Sequence, residues 1–270
     1  MWTLYEPVHA VTYFSPEALG AFEAAGLRGF WRGYFAGRAA PLGPVGPAPV
    51  VATFFNFAPP MVARAIPDVW HRAAPDTVLR VRSEGASAAL ARLAADLPAA
   101  VVAEAADLLT VAASNIGYAG RVLAAANAAL PVPDEPLARL WQAATTLREH
   151  RGDGHVAALV ATGLSGCEVL VWRASHDLTR EVLQPYRGWT DEEWEVATRR
   201  LQERDWLDAD ARPTMIGVDA FAAIEQATDR AADDPWSDVD TVRFRTLIAP
   251  LSAACRDSLP AMNPIGLPTA

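Results

Sequence analysis

Apolar positions along this chain recur every three to four residues and seldom alternate. Leucine and alanine carry most of them, β-branched residues rarely cluster, and Arg, Asp or Glu interrupts the long apolar stretches. That is the spacing of helices that bury one face, so a mostly helical protein is predicted. Ser15-Pro16-Glu17 is a helix start, because Ser15 can accept from first-turn amides and proline suits the first helical position. Gly26 ends that helix, and Phe30 to Arg38 forms the next. The segment from Pro41 to Pro49, with four prolines and two glycines, breaks regular structure. Val50 to Phe57 follows as a short strand or an extended apolar segment lining a cavity. Proline-led helices then start at Pro59 and Pro67. Thr77 to Leu97 and Pro98 to Leu130 read as long amphipathic helices, with Gly117 and Gly120 as weak points in the second. Leu137 to His150 is helical again, and Arg151-Gly152-Asp153-Gly154 stops it.

Past those glycines, His155 to Leu164 and Ser165 to Ala174 form two helices, the second capped by Ser165. Leu178 to Pro185 is a short turn of helix. Thr190-Asp191-Glu192-Glu193 combines a cap, an acidic first turn that the helix dipole favours, and Glu at the capping-box position. A helix therefore runs from there to about Arg204. Extended pieces around Leu207 and from Pro213 to Ile216 form a small wing, and Thr214-Met215-Ile216-Gly217 opens a helix that contains Ile224 to Asp229. The tail from Ala261 to Ala270 holds Pro264, Gly266 and Pro268 and is expected to lie irregularly on the surface. The linker at Pro131 to Pro136 separates a helical, aromatic-rich half, residues 1–133, from a winged-helix-like half, residues 134–250. Residues 251–270 complete the last helix and the tail. The linker is only a few residues, so the halves are expected to pack as one body.

This order of helices and wing resembles the winged helix-turn-helix domain of MarR-type regulators. Val196, Leu201, Trp206 and Leu207 match its helix-then-wing segment, and Thr214-x-x-Gly217 with Ile224-Glu225-x-x-Thr228-Asp229 matches its closing helix. The whole chain is similar to a family of uncharacterised actinobacterial helix-turn-helix-like proteins. The segments that carry this likeness are His9-x-x-x-Tyr13-Phe14-x-Pro16-Glu17, Gly26-Leu27-Arg28-Gly29-x-Trp31-x-Gly33-Tyr34, Arg38-Ala39-Ala40-Pro41-Leu42-Gly43, Gly152-Asp153-Gly154-His155 and Arg187-Gly188-Trp189. The resemblance implies a fold, mainly α, with a helical N-terminal half packed on a winged helix-turn-helix-like C-terminal half. It implies no activity.

Charge bears on whether such a domain meets DNA. The 270 residues include 23 basic and 32 acidic side chains, a net charge of -9, and every basic residue is Arg. Residues 1–150 carry 11 Arg and 12 acids, whereas residues 151–270 carry 12 Arg and 20 acids. The acidity lies in the half that would touch DNA, and Asp191, Glu192, Glu193 and Glu195 would face phosphates from the recognition position. Arg199, Arg200, Arg204 and Arg212 are the residues that would make a basic face. Nucleic acid is therefore an unfavoured partner but a standing alternative. The missing lysine excludes Schiff-base and pyridoxal-phosphate chemistry and a P-loop. No signal peptide or membrane span is expected, and two cysteines, Cys167 and Cys255, suit a reducing cytoplasm, with one long-range disulfide left open.

The chemistry worth weighing is aromatic. Tyr13, Phe14, Trp31, Tyr34, Phe35, Phe54, Phe55 and Phe57 crowd the first 57 residues, with His9, Arg38 and Asn56 interleaved. His9 and Tyr13 share a helix face at i, i+4, as do Trp31, Tyr34, Phe35 and Arg38 at i, i+3, i+4 and i+7. An apolar, aromatic set with a few placed polar groups suits a small-molecule pocket; the same residues also suit an ordinary core with satisfied polar tips. Asn115 and Tyr118 would reach into such a pocket or pair with neighbouring backbone. His155, beside Asp153, is an acid/base or ligand contact, or else a first-turn residue behind a capping Asp153. The five histidines, His9, His71, His150, His155 and His176, show no metal-ligand spacing, so no metal site is expected. A haem would find axial ligands in His9, Tyr13 or His155, but no attachment motif is present and no cofactor is expected.

The favoured expectation is a protein, with a homodimer as an option, that senses or sequesters a hydrophobic, planar small molecule. His9, Tyr13, Arg38 and Asn56 orient its polar groups between aromatic walls. The alternatives are a DNA-binding regulator and a cofactor-independent or haem-using enzyme with His9 or His155 as base and Arg38 holding an anion.

Overall fold

The helical spacing of apolar residues resolves, in a computed structural model that describes residues 1–260, into a mainly α protein. In chain order the helices are α1 (Trp2–Phe14), α2 (Pro16–Ala24), α3 (Phe30–Ala39), α4 (Pro47–Phe54), α5 (Pro59–Ala63), α6 (Val69–Arg72), α7 (Pro75–Leu93) and α8 (Ala99–Ser114). Then come α9 (Val122–Ala128), α10 (Pro136–Ala161), α11 (Gly166–His176), α12 (Arg180–Arg187), α13 (Asp191–Glu203), α14 (Met215–Ala231) and α15 (Thr241–Ser258). No strand forms among the described residues. The two segments expected to make a wing meet in one antiparallel bridge, Leu207 with Pro213. The tail from Ala261 to Ala270 lies outside the described residues.

Local chemistry sets many of these boundaries. Ser15 accepts from the Ala18 amide at 3.2 Å and starts α2. Ser165 and Glu168 make a reciprocal capping box on α11, and Thr190 and Glu193 do the same on α13. Thr214 accepts from the Gly217 amide and starts α14.

Three expected elements differ. Val50 to Phe57 is mostly helical, because Pro47 and Pro49 open α4 rather than break it and Val50 and Phe54 bury at i, i+4. The helix expected over Pro98 to Leu130 is interrupted between Ser114 and Val122, where Gly120 takes a φ of +72°.

The largest difference is α10, which runs through Gly152-Asp153-Gly154 without a break. Its glycines serve close packing. A Cβ on Gly154 would lie 2.7 Å from the Arg121 Nη1 and 3.1 Å from the Ala231 Cβ. Arg121 is held there by the His150 and Ala231 carbonyls, both at 2.5 Å. Asp153 does cap a helix, but a different one: its carboxylate accepts from the Ala124 amide of α9 at 2.9 Å.

Twenty-six residues make α10 about 39 Å long, enough to join two cores. At its start Trp141 and Leu147 pack with Val8, Val11, Leu90, Leu109, Phe244 and Leu251. Near its end Leu159 joins Leu170, Trp172, Trp194, Leu201, Trp206 and Ile224. A further core gathers Phe22, Phe35, Phe54, Phe57, Met61 and Ile66. Cys167 and Cys255 are free buried thiols in separate cores, so no disulfide forms between them.

Candidate functional site

The Phe55-Asn56-Phe57 segment after α4 is the seat on which α11 and α12 rest. Phe55 turns at a φ of +40° and packs against the Leu170–Trp172 core rather than against its neighbours. Its carbonyl comes so near Gly166 that a Cβ there would sit 2.1 Å away. The Trp189 indole donates to the Asn56 carbonyl at 2.9 Å, and the Ala58 amide donates to the Arg187 carbonyl at 2.9 Å. These contacts fix α11 and α12 opposite α1 and α3, and a cleft of about 380 Å³ opens between them.

One wall of the cleft is aromatic. Tyr13, Phe14, Phe30, Trp31 and Tyr34 line it, with Trp2 and Tyr5. Their rings contact one another: Tyr13 and Tyr34 have centroids 5.0 Å apart, Phe30 and Trp31 are 5.0 Å apart at right angles, and Phe14 stacks on Phe30 at 6.1 Å. The facing wall is charged, with arginines alongside Asp177 and Glu225. Arg148 and Arg151 reach it from α10, Arg173 from α11 and Arg187 from α12, together with Asn56, His155, Leu183 and Phe221.

Behind the aromatic wall lies a buried polar network. The Thr145 hydroxyl donates to the Trp141 carbonyl at 2.8 Å, so towards His9 it can only accept. The His9 Nδ1–H therefore donates to Thr145 at 2.9 Å, and Nε2 accepts the Tyr13 hydroxyl at 3.0 Å. Burial first, and then the nearby Arg148, push the His9 pKa well below 6.5, which keeps the ring neutral. The same logic holds at His155. Thr228 donates to the Ile224 carbonyl, so His155 Nδ1–H donates to Thr228 at 2.9 Å, and burial lowers its pKa as well.

Arg38 and Glu149 form a bidentate pair at 2.8 and 2.9 Å. Arg148 adds a bond to Glu149 at 2.9 Å and lies 3.6 Å from Glu6. Burial opposes the charge on Glu149, but Arg148 and Arg38 outweigh it and hold the carboxyl well below the usual range. Glu6 moves the other way, raised by burial. At the far side Arg151 bonds Glu225 at 3.1 Å and Asp229 at 3.4 Å, with its guanidinium 4.8 Å from the Trp2 ring.

Of the residues singled out from the sequence, the structure brings Tyr13, Phe14, Trp31, Tyr34, Asn56 and His155 to this cleft. His9 and Arg38 sit one layer behind, the first bonded to Tyr13 and the second to Glu149. Phe35, Phe54 and Phe57 are core residues. Asn115 and Tyr118 leave the helix expected for them and lie on the α8–α9 loop. Tyr118 is 57% exposed there and lines a separate hollow of about 170 Å³ with Val132 and Leu130. His155 is in the middle of a helix rather than at its start.

The arginines of the facing wall are not among the site residues expected from the sequence. Arg148, Arg151 and His155, at i, i+3 and i+7, share one face only when α10 is read as continuous. Among the described residues, no three His, Cys, Asp or Glu side chains gather in a metal-holding group, and no single helix is long and apolar enough to cross a membrane.

The helices α11 to α14 on the side facing the aromatic wall carry two capping boxes, the Thr214 cap and a one-bridge turn. No curated protein and no solved structure matches the chain. A family model described as a helix-turn-helix family matches residues 1–262, and so takes in the cleft, both of its walls and the helices that close it. By that match the chain belongs to this helix-turn-helix family.

Proposed function

We propose that the protein binds a planar, largely apolar small molecule in the cleft between the aromatic wall and α10–α12. The observation that carries this reading is the cleft itself. Its volume of about 380 Å³ lies in the range of drug-sized ligand sites, and its aromatic wall is already built, with rings held edge-to-face and stacked on one another. Tyr34, Trp31 and Asn56 supply the contacts, while His9 orients Tyr13 from behind. The order of α11 to α14, with its single bridge, supports a MarR-type winged helix whose wing is reduced to one turn. In this reading that half serves to close the cleft.

Titration with 2-naphthalenemethanol, followed by quenching of tryptophan fluorescence, tests the reading. Saturable quenching is expected, and Trp31→Ala with Tyr34→Ala should weaken binding at least about ten-fold, as loss of two stacking surfaces implies. Absence of saturable binding would refute it.

The family description favours one other reading, contact of DNA through α13. Its exposed N-terminal turn is acidic, Arg204 is committed to the Thr162 and Gly163 carbonyls, and Arg212 pairs with Asp210. Arg199 and Arg200 are the exposed cations that remain on that helix. Binding to random duplex DNA at 50 mM salt that Arg199→Ser with Arg200→Ser abolishes would establish this reading instead.

A further inference from the structure

His155 is the cleft residue whose hydrogen-bonding sense the fold fixes. On α14 the Thr228 hydroxyl donates to the Ile224 carbonyl at 2.9 Å and accepts from His155 Nδ1–H at 2.9 Å, so the ring carries its proton on Nδ1. Nε2 is then a bare acceptor. Among the described residues no group bonds it, and the side chain is 24% exposed where it lines the cleft. Glu225 lies 3.7 Å from Nδ1 and is bonded to Arg151 at 3.1 Å. Burial, against the pull of Glu225 and with the help of Arg151 and Arg173, lowers the His155 pKa below 6.5, so the ring is neutral at pH 7. About one turn earlier on α10, Gly152 also lines the cleft, and the nearest group to a Cβ there would be the Glu149 carboxylate, 3.8 Å away. The helix therefore presents bare backbone beside an unfilled acceptor, which leaves room for a flat ring.

We propose that this Nε2 accepts a hydrogen bond from the molecule in the cleft, and that the molecule is a planar phenol, an uncharged aromatic ring system with a hydroxyl on its edge. This rests on the small-molecule reading above and specifies the ligand's polar group. An acceptor without a partner selects a donor, because a ligand that lacks one covers the nitrogen, strips it of water and leaves it unpaired. A neutral donor suits the cleft, since its charges already answer one another. Glu6 lies 3.6 Å from Arg148, Asp177 is 2.5 Å from Arg173, and Glu225 is 3.1 Å from Arg151. A phenolic hydroxyl lies in the plane of its ring, so a ring laid over Gly152 reaches His155 with its edge and meets the aromatic wall with its opposite face.

2-Naphthol and 2-methoxynaphthalene share a ring system and an oxygen and differ in the hydroxyl hydrogen. Calorimetric titration of each into the full-length protein at pH 7 therefore isolates the donor. The naphthol is expected to bind at least about five-fold more tightly, the strength of one neutral hydrogen bond to an otherwise unfilled acceptor. His155→Phe should bring naphthol to the affinity of the ether and leave the ether unchanged. In unaltered protein labelled with 15N-histidine, the His155 Nε2 resonance should move when naphthol binds and stay when the ether binds, a readout that needs no substitution. Equal affinity for the two probes in the unaltered protein would overturn the proposal and leave the small-molecule reading standing. So would a folded His155→Phe variant that keeps the preference or loses both probes alike, or an Nε2 resonance that naphthol leaves in place. If neither probe binds, both readings fail.

Discussion

Glu149→Gln is the perturbation whose consequence follows most directly from the structure. The Glu149 side chain is 1% exposed and accepts from Arg38 at 2.8 and 2.9 Å and from Arg148 at 2.9 Å. With Glu6 nearby, the buried group holds two carboxylates and two guanidiniums. Glutamine keeps the shape but removes the charge, turns an amide donor towards a guanidinium and leaves one carboxylate against two cations. Breaking one partner out of a buried ion pair costs about 3–5 kcal/mol. At about 2–4 °C per kcal/mol for a chain near this size, the melting temperature should fall by on the order of 10 °C.

The pH dependence has a definite sign. The folded-state pKa of Glu149 is depressed, so its contribution is fully present above the ordinary carboxylate value and is lost as the pH falls towards the folded one. The gap between unaltered protein and Glu149→Gln should stay constant from pH 7 down to about 5 and narrow in stronger acid. Arg38→Met should also cost less in the Glu149→Gln background than alone. Scanning calorimetry across pH measures all three. A shift below about 1 °C at pH 7, or a gap that widens on acidification, would refute the reasoning.

Other outcomes follow from neighbouring positions. Burial raises the Asp153 carboxyl to about 6, so its ionisation works against folding as pH rises from the unfolded value near 4 through 6. Asp153→Asn should therefore be more stable than the unaltered protein at pH 7, with the advantage fading below pH 4. Thermal melts at the two pH values decide it, and an advantage that persists in acid counts against it. Gly152→Ala and Gly154→Ala should differ in sign although they lie in one helix. At 152 the nearest atom to a new Cβ is 3.8 Å away, so alanine gains up to about 1 kcal/mol of helix propensity. At 154 the clash at 2.7 Å with the pinned Arg121 makes it destabilising, and equal melting temperatures would contradict the packing described for α10 and α14.

Where local chemistry decides a boundary, the sequence told it clearly. Ser15, Ser165, Thr190 and Thr214 cap the helices expected of them, since a cap needs only a side-chain oxygen and the next few amides. Where distant chains decide, it did not. Gly152-Asp153-Gly154 has the composition of a stop, yet Arg121 and α14 occupy the space that side chains would fill, and Asp153 serves the amide of another helix. That misreading hid the cleft-facing side of α10, because Arg148, Arg151 and His155 align only along an unbroken helix. The aromatic cluster was legible as a group but not in its division. Tyr13, Trp31 and Tyr34 turn to the cleft, whereas Phe35, Phe54 and Phe57 fill the core, a choice set by which face of α3 meets α4 and α5. Arg38 was identified as a polar group near the site, and its commitment to Glu149, 111 residues away, depends on tertiary contact alone.

Intermolecular nuclear Overhauser contacts to a bound naphthyl probe test most directly whether a small planar molecule sits between the aromatic wall and α10–α12. Contacts are expected from the naphthyl protons to the rings of Tyr13, Trp31 and Tyr34 and to the Leu183 methyls across the cleft. Contacts confined to the hollow beside Tyr118, or no contacts at saturating probe, would contradict it.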